Sequence, residues 1–147
     1  MKDFHLEEHR NEIERLITYI PWLESKAGKT ASQNYSGGDI SATTIAFPVY
    51  EGTLMSFVNE ASSMSIIDPN YVYVYGNLGI RTIEDEKKAV SEATVTEAGI
   101  LQAVLSKYVL TGMTKGVVWN TAVKEGIFLE VLKRFKELCA IWDKPLA

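Results

Sequence analysis

Apolar residues recur at helical spacing over most of the chain. The clearest run is Phe128, Val131, Leu132, Phe135, Leu138, Cys139 and Trp142, with Glu130, Lys133, Arg134, Lys136 and Glu137 opposite. One apolar face and one charged face predict an amphipathic helix. Glu130–Arg134 and Lys133–Glu137 stand four apart, the spacing of surface ion pairs. Upstream, Ile100, Leu101, Val104, Leu105, Tyr108 and Val109 give a second apolar face, with Gln102, Ser106 and Lys107 as its polar side. Thr96 is the expected N-cap of that helix, and Gly112 stops it near Thr111. Between the two, Gly116–Lys124 carries Val117, Val118, Trp119 and Ala122, enough for a two-turn helix held by packing.

The N-terminal half repeats the pattern more weakly. Leu6, Ile13, Leu16, Ile17 and Ile20 predict a first helix, which Pro21 breaks or restarts. Leu54, Phe57, Val58, Ala61 and Met64 predict another, ending before Asp68-Pro69 because the residue before proline avoids the α region. Thr82 with Asp85 three residues on opens a short charged helix over Ile83–Ser91.

Two stretches depart from the helical period. Tyr71, Val72, Tyr73, Val74 and Tyr75 alternate strictly, which predicts a strand with the tyrosines on one side. Its available partner is the extended segment around Thr43–Phe47. Residues 25–42 are polar and glycine-containing, and read as a long mobile loop. The expected fold is therefore mainly α: a single domain over 1–147, a bundle of five or six helices with at most a small β-hairpin from 43–48 and 71–75. An α+β domain with a larger sheet is the alternative.

Composition narrows the function classes. The 147 residues are 46% apolar and 23% charged, ordinary for a globular chain. The net charge of −4 disfavours nucleic acid as a general partner. One cysteine, Cys139, forbids an internal disulfide and points to a reducing, cytoplasmic setting. The first eight residues lack an apolar stretch, so no secretory signal is expected, and no run reaches the length of a membrane span.

Candidate chemistry is sparse. His5, Glu8 and His9 fit H-x-x-E-H, a weak metal-site pattern that needs a third ligand, for which Glu84, Asp85 and Glu86 are the available acids. Gly28-Lys29-Thr30 matches only the tail of a P-loop; Leu23 stands where the first glycine belongs. Cys139 falls on an apolar face, as a core thiol does. Tyr71, Tyr73 and Tyr75 are a candidate ligand groove, since tyrosine joins an apolar body to a polar tip. Gly116–Trp142 has the outline of a helix-turn-helix, with Lys133, Arg134 and Lys136 to reach DNA but Glu130 and Glu137 beside them.

No catalytic or cofactor-binding residue is identified, no cofactor is implied, and no small-molecule ligand is specified. The sequence favours a non-catalytic, self-associating interaction module, expected to be a homodimer. Trp119, Met113 and Trp22 are its candidate interface residues, because aromatic residues and methionine are enriched in contact surfaces. A DNA-binding regulator is one alternative; a small-ligand binder or unrecognised enzyme is another.

Phe47-Pro48-Val49-Tyr50 stands ahead of Leu54 and Phe57. Tyr71, the Leu101–Tyr108 segment and Gly112-Met113-Thr114-Lys115-Gly116 follow, and then Trp119, Ala122, Gly126 and the run Ile127–Leu138. This order resembles a family of small bacterial proteins, also found in mobile elements, defined as a domain of unknown function. The resemblance spans about 44–142. Branches of that family carry charged residues, arginine included, before the glycine matching Gly116; here the stretch is Thr111-Gly112-Met113-Thr114-Lys115. The resemblance implies a fold and a bacterial, cytoplasmic context, and implies no activity.

Overall fold

The computed structural model describes residues 6–28, 32–35, 47–50, 52–115 and 117–143, with only the backbone described at 32–35, 47–50 and 142–143. A 3-10 turn, Leu6–His9, leads into α1 (Arg10–Ile17) and α2 (Ile20–Lys26). Strands β1 (Ser32–Tyr35) and β2 (Phe47–Tyr50) follow, then α3 (Gly52–Ser62), α4 (Tyr71–Leu78) and α5 (Ile83–Glu92). A second 3-10 turn, Val95–Glu97, precedes α6 (Gly99–Thr111), α7 (Val117–Lys124) and α8 (Ile127–Asp143). The fold is a mainly α bundle. Its strands form an antiparallel pair with Ser32 opposite Tyr50 and Tyr35 opposite Phe47.

Helix α8 lies at the centre. It buries Phe128, Val131, Leu132, Phe135 and Leu138 and packs against α1, α2, α5, α6 and α7. Helix α6 is apolar nearly all round, and accordingly it is covered on several sides, by α3, α4, α5, α7 and α8. A run of edge-to-face rings crosses the core: Tyr19 on Phe57 at 5.2 Å, Phe57 on Phe128 at 4.8 Å, and Tyr108 on Phe128 at 6.3 Å. These contacts join the α1–α2 turn, α3, α8 and α6 through the most favourable ring geometry.

The described residues hold eight α-helices rather than five or six, for two reasons. The N-terminal pattern splits at Thr18-Tyr19, and α2 restarts with Pro21 in its first turn, where the missing N–H costs nothing. The Tyr71–Tyr75 alternation, expected as a strand, is helix α4. A helix satisfies its own backbone, whereas a strand there would need a neighbour; Gly79, at φ 67°, ends it as a left-handed cap. The hairpin accordingly pairs 32–35 with 47–50, not 43–48 with 71–75. Of the expected loop over 25–42, Ser25 and Lys26 close α2 and Ser32–Tyr35 form β1; 29–31 and 36–42 lie outside the described residues.

Three local expectations change. Thr94, not Thr96, makes the capping box, with Glu97, on the 3-10 turn ahead of α6. Ser106, assigned to a polar face, is fully buried, and its hydroxyl accepts the Asp68 N–H at 2.8 Å. Arg134 bonds Glu137 at 2.8 Å, three residues away, and donates from Nε to the Ala93 carbonyl at 2.8 Å.

Candidate functional site

The strongest polar constellation is built on Glu86. A capping box of Thr82 and Asp85 starts α5: the Thr82 hydroxyl accepts from the Asp85 N–H at 3.1 Å, and Asp85 Oδ2 accepts the Thr82 N–H at 3.2 Å. That start puts Glu86 and Val90 on the inner face of an otherwise charged helix. Glu86 is only 1% exposed. Its Oε1 accepts the Tyr108 hydroxyl at 2.5 Å, and its Oε2 accepts the Tyr75 hydroxyl at 2.6 Å and the Lys107 ammonium at 2.9 Å. The ammonium also stands 4.9 Å from the Tyr75 ring centre and 5.1 Å from that of Tyr108. One carboxylate thus ties α5 to α4 and α6.

Its electrostatics oppose reactivity. Burial, followed by the hydrogen bond and charge of Glu86, raises the ionisation of Tyr75 and Tyr108 far above the ordinary 10.0. Both phenols stay protonated at any physiological pH and serve as donors. Glu86 is committed to three donors and Lys107 to Glu86, so the group works as an internal tie.

A second cluster joins α1 to the turn after α3. Glu12 accepts the Ser65 and Ile66 N–H groups at 2.8 and 3.0 Å and the Ser65 hydroxyl at 3.0 Å. His9 Nδ1 lies 3.2 Å from Glu12 and 3.3 Å from the Ser65 hydroxyl. A serine–histidine–acid relay needs the serine and the acid on opposite ring nitrogens. Here both meet Nδ1, and the carboxylate is engaged by backbone donors, so the arrangement caps a turn.

The residues singled out from sequence are dispersed. Glu8 is exposed and His9 half-buried, while His5 lies outside the described residues; among those described, no three histidines, cysteines or acids converge on a metal position. Tyr71 and Tyr75 do share a face, with rings 6.2 Å apart edge to face, because they are four apart on a helix. Tyr73 points the other way, 66% exposed, so the three tyrosines line no common groove. Trp119 is a core residue, 7% exposed, its indole N–H donating to the Val109 carbonyl at 3.3 Å. Trp22 packs half-buried against the core, and Met113 is exposed. Gly28 has φ 79°, follows a helix rather than a strand, and donates its N–H to Lys124 O at 2.9 Å. Lys29 and Thr30 lie outside the described residues.

The helix-turn-helix outline is present as α7 and α8, joined at Glu125-Gly126. Helix α8, which would enter a DNA groove, packs against five other helices on its apolar side, and its exposed side carries Glu137 beside the lysines. Lys133 and Lys136 are exposed, but Arg134 is held by Ala93 and Glu137. Cys139 is buried. Among the described residues, no helix is long and apolar enough to cross a membrane.

Sequence reading missed Glu86 as a centre. The signal was an acid at the middle of the stripe Ile83, Glu86, Val90, where helical spacing asks for an apolar residue. Comparison of the chain with known protein families, curated proteins and solved structures finds no match in any of the three, so the family resemblance over 44–142 rests on the quoted motifs alone.

Proposed function

We propose that this protein is a non-catalytic interaction module that self-associates through the outer face of α4. One observation carries the reading: α4, Tyr-Val-Tyr-Val-Tyr-Gly-Asn-Leu, has no buried residue, and Val72 and Tyr73 stand 56% and 66% exposed side by side. An apolar helix that covers α6 on one side and offers valine and tyrosine on the other has the composition of a contact surface. The commitment of Glu86, Glu12 and their partners to internal hydrogen bonds agrees with a binding rather than a catalytic role. The single cysteine and the family resemblance favour a bacterial cytoplasmic setting.

Sedimentation equilibrium tests this reading. The expected result is a dimer at micromolar concentration for the wild type and a monomer for Val72→Lys/Tyr73→Lys, with unchanged circular dichroism because both side chains are exposed. Met113→Lys, at the α6–α7 turn, serves as the comparison and keeps the dimer. A wild type that stays monomeric at high micromolar concentration overturns the proposal.

A further inference from the structure

A shallow cleft of about 350 Å³ opens between the end of α4, the outer side of α5 and the start of α6. Its floor is apolar, formed by Ile80, Ala89, Ala93 and Ile100, with Leu78 half-exposed at the lip. Its rim is acidic: Asp85, Glu92 and Glu97 against the single cation Lys88.

Two of the acids are fixed in place. Asp85 Oδ2 accepts the Arg81 and Thr82 N–H groups at 3.0 and 3.2 Å, and these bonds hold its carboxyl below the ordinary 3.8. Glu97 Oε1 accepts the Thr94 N–H at 3.2 Å and hydroxyl at 2.9 Å. Helix α4 ends at this cleft and α6 begins at it, so their terminal dipoles oppose each other and the side-chain acids set the charge of the rim. Asp85 and Glu97 are therefore already in place on the rim.

An apolar floor under an acidic rim matches a side chain with an aliphatic stem and a cationic head. The cleft is open on one side. A free small molecule would leave much of its surface in water there, whereas small-molecule sites enclose most of theirs. A side chain presented by a larger partner closes the open side with its own backbone.

We propose that this cleft docks a basic peptide segment of another protein. A lysine or arginine stem lies on Ile80, Ala89 and Ile100, with its cation among Asp85, Glu92 and Glu97. The proposal stands apart from self-association, since it uses neither Val72 nor Tyr73.

The test is fluorescence anisotropy of a short labelled lysine–leucine peptide against the full chain, with a glutamate–leucine peptide of equal length beside it. The lysine peptide is expected to bind at least about tenfold more tightly, and to weaken as salt is added. Glu92→Lys, at an exposed position, lowers affinity about tenfold, and Ala89→Trp, which fills the floor, lowers it as much. Glu24→Lys makes the same charge change on exposed α2 and leaves binding unchanged. Equal binding of the two peptides overturns the proposal, as does wild-type affinity in both cleft variants. An equal loss from Glu24→Lys also overturns it, because it marks general charge attraction. Displacement of the peptide by a free alkylammonium ion at similar concentration replaces the peptide with a small-molecule ligand.

Discussion

The indole of Trp119 occupies the space that a β-carbon on Gly112 would need. Gly112 has φ −66°, a conformation open to any residue, so glycine is required there for room and not for backbone freedom. The indole crosses the last turn of α6, and its N–H bonds to Val109 O. This close approach sets how α7 leaves α6. Gly112→Ala is expected to destabilise by about 3 kcal/mol, the cost of forcing an extra carbon into a filled core. Urea unfolding measures it. In a Trp119→Leu background the same substitution costs much less, since the clash is gone; an unchanged cost in both backgrounds removes the steric explanation.

The two tyrosines on Glu86 are not equivalent. Tyr108 is the donor bonded to Oε1, while Oε2 has both Tyr75 and Lys107. Tyr108→Phe leaves a buried carboxylate oxygen without its phenol donor and is expected to cost about 3 kcal/mol. Tyr75→Phe leaves the lysine in place and costs about 1 kcal/mol. Denaturant unfolding of both variants checks the order, and a larger loss from Tyr75→Phe contradicts it.

Alkaline behaviour follows from the same cluster. Burial first, then Glu86, raises both phenols in the folded state above their ordinary 10.0. Below that pH the phenols are protonated in folded and unfolded chains alike, and their contribution is fully present. Above it the unfolded chain ionises first, and stability falls as pH rises. Tyrosinate absorbance from this pair is expected to appear together with loss of helical circular dichroism, not before it. Ionisation of all seven tyrosines in a chain that stays folded contradicts this.

What was legible in the sequence is what periodicity encodes. The α8 stripe Phe128, Val131, Leu132, Phe135 and Leu138 is buried as its spacing requires, and so are Leu54, Phe57, Val58 and Ala61 on α3. The Thr82–Asp85 cap was readable because it is local. Where the reading failed, the deciding contact lay far along the chain. Tyr75 meets Glu86 and packs near Lys107, so tertiary contacts override the β preference of its segment. Ser106 is buried, and its hydroxyl is met by the N–H of Asp68, thirty-eight residues away along the chain. Of the residues named for an interface, Met113 is exposed, while Trp119 is turned into the core, where Gly112 leaves room for its indole.

Glu12 ties α1 to the turn at Ser65, and acid should release it. Burial favours the neutral carboxyl, but hydrogen bonds from the Ser65 backbone, His9, the Ser65 hydroxyl and the Ile66 backbone outweigh it and hold the group below 4.5. A carboxyl depressed in the folded state contributes stability above its unfolded value and loses it as pH falls through the folded value. At neutral pH, Glu12→Gln is expected to cost about 2 kcal/mol, since an amide cannot replace a carboxylate that accepts from two backbone N–H groups. As pH drops below 4.5 the wild type protonates and approaches the variant, so the gap between their urea midpoints narrows. A gap that stays constant from neutral pH into the acid range shows that the Glu12 charge contributes nothing to holding the turn.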